Sequence, residues 1–273
     1  MPNFTTTNGN QIYYEVHGCS GPPLILLAGL GSSSLIWEPQ RNAFQNAYQL
    51  YVFDYPGHGH SQHETQYTIP RFVENLRELM DHWEIEQAHL LGFSLGAAVS
   101  LSYATLYPKR VLSLILEAPI GGTRTPWHIL GWLDVLLVAA YLCLLKFLWA
   151  LIGKSKGITL MQKYGHQTYK YYALLEAMEQ ETDGKAMLQL IWQLISPPYI
   201  GHLDRIHCPA IIITGKGDFT PKRYYTYLCK HLPPPCNVIK IPGARHTASF
   251  EQPEAFNQIV LDFLQTQAKE SDL

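Results

Sequence analysis

The sequence predicts an α/β fold: a mostly parallel central sheet flanked by helices, with an inserted helical module. Three observations carry this prediction. Short apolar runs of strand length recur along the chain, helical patterns lie between most of them, and residues 121–202 hold helical pattern with no convincing strand. A continuous apolar run marks a strand buried on both faces, and strands alternating with helices imply crossover connections in a parallel sheet.

The elements follow in order. Residues 4–16 read as a hairpin about Asn8-Gly9, a pair that supplies positive φ at both turn positions. Apolar runs lie at 23–28 (PLILLA), 49–54 (QLYVFD), 88–93 (AHLLGF), 111–118 (VLSLILEA), 210–214 (AIIIT) and 237–241 (NVIKI). A helix over 69–83 sets Phe72, Leu76, Leu79, Met80 and Trp83 on one face, with Pro70 near its start, where helices tolerate proline. Residues 95–107 form a small apolar helix stopped by Pro108, and 253–264 form a closing helix. The expected division is a core of residues 1–120 and 203–273 with residues 121–202 inserted between two of its strands.

Composition narrows the function. At 47% hydrophobic and 15% charged the chain is too apolar to be disordered, and 273 residues suffice for one α/β domain with an insertion. With 20 Lys+Arg against 22 Asp+Glu, the net charge of -2 gives no basic footprint for nucleic acid. Cys19, Cys143, Cys208, Cys229 and Cys236 form an odd set without a C-x-x-C pair, which fits neither a disulfide framework nor a zinc knuckle. The start, Met-Pro-Asn-Phe, lacks the basic and apolar regions of a secretory signal, so a reducing cytoplasmic location is expected.

Gly92-Phe93-Ser94-Leu95-Gly96 is G-x-S-x-G between an expected strand and an expected helix. Such a turn holds serine in a strained conformation with its hydroxyl above the sheet, and small neighbours are needed where the backbones crowd. A serine hydroxyl needs a base, and the base an orienting acid. Asp218 follows the run at 210–214 and His246 follows the run at 237–241, so Ser94, Asp218 and His246 all lie just beyond strand ends on one edge. Glu117, at the end of the run at 111–118, is a second candidate acid. His58, His60 and His63 have the form H-x-H-x-x-H, but Gln62 stands where a metallo-hydrolase pattern wants Asp; the segment reads as a loop, and no metal site is expected. Asp54 reads as a strand-end residue that organises this loop.

These residues, with Leu-Ala-Gly-Leu-Gly-Ser at 27–32, Asp-Tyr-Pro-Gly-His-Gly-His-Ser at 54–61 and Pro-Gly-Ala-Arg-His before Phe250-Glu251-Gln252-Pro253, resemble the α/β-hydrolase superfamily. The resemblance covers nearly all of the chain outside 121–202 and implies that this insertion is a helical cap over an active site. It further implies an oxyanion hole from the backbone N–H groups of Leu30 and Leu95. Ala28-Gly29 stands where the family usually has His-Gly, and Pro221 comes three residues after Asp218 where four are usual. A serine at position 94, where dehalogenases and epoxide hydrolases of the family carry a carboxylate, points away from their chemistry.

The expected activity is hydrolysis of carboxylic esters with an apolar acyl or alcohol part, by an esterase or lipase-like enzyme needing no cofactor. Two other classes stay open. One is a triad-dependent lyase or carbon–carbon hydrolase similar to the menaquinone-pathway synthase, for which Arg124 and Arg245 are the arginines placed to meet a carboxylate. The other is a ligand receptor on the same fold with little turnover. Residues 130–152 form a run of transmembrane length in which only Asp134 and Lys146 are charged. One crossing would put Ser94 and His246 on opposite sides of a bilayer, which leaves a buried cap helix, an interfacial helix making peripheral membrane contact, or a re-entrant segment.

Overall fold

The computed structural model describes residues 2–121, 174, 177–178, 181–195 and 197–271. The segment 130–152 and most of the expected cap lie outside the described residues.

Among the described residues, eight strands form one sheet in the order β1-β2-β4-β3-β5-β6-β7-β8. They are β1 (Asn3–Thr5), β2 (Gln11–His17), β3 (Pro23–Leu27), β4 (Gln49–Phe53), β5 (Ala88–Phe93), β6 (Val111–Glu117), β7 (Ala210–Gly215) and β8 (Asn237–Ile241). β1 and β2 pair antiparallel, β2 joins β4 antiparallel, and every pairing from β4 to β8 is parallel. The apolar runs thus become the parallel strands within a residue at either end.

Both faces of the sheet are covered, which is why these strands carry no polar alternation. Along β3, Ile25 and Leu27 pack into one core cluster while Leu24 and Leu26 pack into the other; in β5, Leu90 and Leu91 divide the same way. The first cluster holds α2 (Ile69–His82) and α3 (Leu95–Leu106). The second holds Phe44 of α1 (Glu38–Phe44) and Phe256, Val260 and Leu264 of the C-terminal helix, α7 (Pro253–Ser271). Thr68 caps α2, its side-chain oxygen accepting from Arg71 N at 3.2 Å. The remaining described helices are α4 (Gly184–Ile195), α5 (Lys222–His231) and the single turn α6 (Ala248–Glu251).

Two details depart from the sequence reading. In the first hairpin only Gly9 of the expected pair takes positive φ, at 87°. The turn is wider, with Gly9 N donating to Thr6 O and Thr6 N to Asn10 O, each at 2.8 Å. The closing helix continues to Ser271, past the expected end at 264. Leu264 is the last of its residues in the core cluster, so hydrophobic periodicity carries no signal beyond it. Among the described residues, no helix is long and apolar enough to cross a membrane.

Candidate active site

Parallel strands end on one edge of the sheet, and there the structure assembles the candidate residues. Ser94 sits between β5 and α3 with φ 51° and ψ -104°, a conformation that L-residues hold only under constraint. The constraint is visible. Ser94 N donates to Glu117 O of the neighbouring strand at 2.9 Å, and Ser94 O accepts from Ala98 N at 3.2 Å. The crowding at Gly96 is severe, since a Cβ there would lie 2.0 Å from Leu27 O. A side chain at position 96 is therefore incompatible with this elbow.

Asp218 and His246 meet in the loops after β7 and β8. His246 Nδ1 lies 2.9 Å from Asp218 Oδ1. The other carboxylate oxygen, Oδ2, accepts from Thr214 Oγ1 at 2.6 Å and from the Tyr225 hydroxyl. Burial opposes charge on Asp218, but the hydrogen bond from His246 with those from Thr214 and Tyr225 outweighs it and lowers the carboxyl to about 2. An ionised carboxylate only accepts, so Nδ1 carries the proton and Nε2 is left as the basic nitrogen. The backbone ties the two loops together: Gly217 N donates to Ala244 O at 3.0 Å and Lys216 N to Ile241 O at 2.9 Å.

His246 is fixed from several sides. The amides on either side of it, Arg245 N and Thr247 N, both donate to the Glu251 carboxylate, at 3.0 and 3.4 Å. The Phe219 ring stacks on the imidazole with centroids 4.4 Å apart. The Phe93 ring, one residue before Ser94, lies 5.3 Å from it, which brings the histidine to the nucleophile elbow.

Glu117, the second candidate acid, is not on the histidine. Its Oε1 accepts from Ser249 N at 2.7 Å, and its Oε2 has no hydrogen-bond partner among the described residues. Burial, with the nearby Asp218 and Glu251 carboxylates, pushes it up to about 8 against the Ser249 bonds, so near neutrality its carboxyl is mostly protonated. Glu117 belongs to the scaffold: its backbone holds Ser94 and its side chain holds α6, which follows His246.

Leu95 opens α3, where the first N–H groups of a helix have no intrahelical partner. Leu30 lies in the loop after β3, half-buried beside the first core cluster. Asp54 anchors that loop: Ser34 N donates to its Oδ1 at 2.6 Å and His60 N to its Oδ2 at 2.9 Å. The three histidines of 58–63 diverge, with His58 Nδ1 3.2 Å from Pro56 O, His60 3.6 Å from Asp54 and His63 3.9 Å from Asp183. Among the described residues no group of three His, Cys, Asp or Glu is placed to hold a metal.

Sequence reasoning did not find the bond of Tyr225 to Asp218, and it gave no site role to Thr214, Phe219 or Glu251. The signal was faint: α5 opens at Lys222, right after Pro221, so its first turn carries residue 225 back over the acid. Tyr225→Phe removes one of the two hydroxyls on Oδ2 of a buried carboxylate, and hydrogen bonds to charged groups contribute about 1.5–3 kcal/mol. Urea unfolding at neutral pH is expected to show a loss of that size. The loss should shrink as Asp218 becomes protonated towards pH 2, because a neutral carboxyl no longer favours the donor so strongly.

The comparisons agree with this geometry at the level of fold and family. A family model described as the alpha/beta hydrolase fold matches residues 22–253. A Caulobacter sp. (strain K31) protein named "Putative carbamate hydrolase RutD" is 28% identical, with 94% of this chain and 97% of that protein covered. The 3-oxoadipate enol-lactonase 1 of Acinetobacter baylyi is 23% identical, with 96% of each chain covered. Among solved structures, an esterase (EaEST) from Exiguobacterium antarcticum superposes with a TM-score of 0.77 at 17% identity, covering 96% of this chain and 98% of that one. With a strand-turn-helix serine, an acid–histidine contact and a family match across most of its length, the chain belongs to the α/β-hydrolase fold family.

Proposed function

We propose that the protein is a serine hydrolase that cleaves carboxylic esters carrying an apolar acyl or alcohol group. The observation that carries this reading is the 2.9 Å contact between Asp218 Oδ1 and His246 Nδ1, on the same sheet edge as the strained Ser94. Ser94 attacks the ester carbonyl while His246 Nε2 takes its proton. Asp218 holds the imidazole in the required tautomer and stabilises its cation. The N–H groups of Leu30 and Leu95 receive the oxyanion, a type of contact worth about 3–4 kcal/mol in the transition state. The alcohol leaves with the proton from His246, and water, activated by the same imidazole, releases the acid from the acyl-enzyme. No cofactor enters.

Support for an apolar substrate comes from what surrounds the elbow. The Phe219 ring, half exposed, lies on the imidazole, and the Met187 thioether sits beside Gly31, next to Leu30. Two of the relatives are named a putative carbamate hydrolase and an enol-lactonase, and carbamates and lactones are both acyl groups open to the same attack.

The test is hydrolysis of p-nitrophenyl esters from acetate to laurate. The expected result is Ser94-dependent turnover that rises with acyl length and is lost in His246→Ala. Absence of Ser94-dependent turnover at every length would sink the esterase reading. A His246→Ala variant that keeps the parent rate would remove His246 from the role of base.

A further inference from the structure

Two thiols meet at the end of α5 away from Asp218. Cys229 lies in the last turns of that helix and Cys236 just ahead of β8, and the Cys229 thiol donates to Cys236 Sγ across 3.2 Å. Both are half-buried and pack against the same core cluster as Leu228 and Leu232. Cysteine spacing offered no pair, and the fold makes one. The chain turns back from α5 through Pro233-Pro234-Pro235 into β8, which returns residue 236 to the face of the helix it has just left. Cys208, by contrast, is buried, and its thiol is pushed up to about 12 by that burial, away from thiolate chemistry.

We propose that Cys229 and Cys236 are a redox pair: a modification site that closes reversibly to a disulfide, with a small-molecule disulfide such as glutathione disulfide as oxidant. The Cys229 thiolate attacks one sulfur of the oxidant and expels a first glutathione thiolate, leaving a mixed disulfide on Cys229. Cys236 gives up its proton and attacks Cys229 Sγ, expelling the second glutathione. Two protein thiols lose two electrons, the oxidant gains them, and both protons end on two molecules of glutathione. Burial and the neighbouring Cys229 push the Cys236 thiol well above its ordinary value, which disfavours it as the first attacker; in the second step its contact with Cys229 Sγ, rather than its thiolate fraction, carries the reaction. The sulfurs must approach by only roughly 1 Å to reach bonding distance, so oxidation locks an arrangement that the reduced chain already holds.

The site has a place in the molecule's workings. Tyr225, four residues before Cys229 on the same helix face, donates to Asp218, and β8 leads into the loop of His246. The bridge therefore ties together the two elements that bear on the acid–histidine pair. It does not depend on the hydrolase reading, and its test does not use activity.

The reduced full chain is incubated with glutathione disulfide under native conditions, alkylated with iodoacetamide and digested. Trypsin cuts at Lys230, between the two cysteines, so a bridge joins two separate peptides. The expected product is that linked pair, two hydrogens lighter than its parts, released by dithiothreitol and absent in both Cys229→Ser and Cys236→Ser. Its formation is expected to raise the thermal midpoint by about 5 °C, as a short closed loop constrains the unfolded chain. Alkylation of both cysteines, a lasting glutathione adduct on either, or a bridge to Cys19, Cys143 or Cys208 would overturn the proposal. A linked pair that lowers the midpoint would overturn it too, since it would show that the fold must be strained to form the bond.

Discussion

Ser94→Ala is expected to lower kcat by about 10^6-fold while leaving the fold intact, measured on the best p-nitrophenyl ester with unfolding followed in parallel. The size follows from non-additivity in such sites: once the nucleophile is gone, acid and base have nothing to activate, and only oxyanion contacts and binding persist, worth roughly 10^3–10^4-fold over water. The structure explains why stability should not follow activity down. The φ of 51° at position 94 is imposed by the Glu117 O bond and by the packing of Gly96 on β3, neither of which involves the serine hydroxyl. Alanine inherits the same strained backbone and a buried methyl in place of a buried CH2OH. Loss of folding together with activity would mean that the hydroxyl has a structural role. A variant retaining more than about one per cent of wild-type kcat would remove Ser94 as nucleophile.

Asp218→Asn is expected to lower kcat by about 10^4-fold with KM little changed, the loss seen when the template acid is replaced by its amide. The donors around Asp218 give the reason. Thr214 and Tyr225 present hydroxyl hydrogens to Oδ2 at short range, whereas Thr220 N and Oγ1 reach Oδ1 only at 3.3 and 3.4 Å, so an asparagine is best satisfied with its carbonyl facing Thr214 and Tyr225 and its NH2 facing His246. An NH2 opposite Nδ1 selects the tautomer protonated at Nε2, which cannot take the serine's proton. Removing Thr214 and Tyr225 as donors in the asparagine background should free the amide to turn and recover part of the rate. The acid has a second signature. Its folded value near 2 lies below the unfolded value of about 3.9, so its stabilising contribution is present above pH 4 and lost as pH falls through 2. The asparagine variant should therefore lose less stability than the parent between pH 4 and 2.

Legibility in the sequence tracked local encoding. β3, β5 and β7 were readable because burial on both faces writes an unbroken apolar run, and the elbow was readable because glycine is needed at 92 and 96 whatever the substrate. The chain order of Ser94, Asp218 and His246 then followed strand ends. Less visible was what depends on three-dimensional approach. Nothing near Glu117 says that its carboxyl caps Ser249 N rather than meeting His246, and nothing near Glu251 says that it grips the amides on both sides of the histidine. The asparagine of the first turn misled, because Asn-Gly is compatible with several loops and the hydrogen bonds of Thr6 selected a wider one.

The place of the elbow in the sheet has a consequence for how the molecule comes apart. β5 is an inner strand, every residue of it buried, that lies between β3 and β6, whereas among the described residues β8 is an edge strand with β7 as its one sheet neighbour. Local opening events start at such edges, while amides in central strands exchange only when the whole domain unfolds. The proposed nucleophile is thus expected to lie in a slowly exchanging part of the sheet, and its proposed base to hang from a strand that opens sooner. Under mild denaturant the serine would keep its shape in a folded sheet while the imidazole drifts away, and on refolding the docking of β8 would be the step that restores the pair.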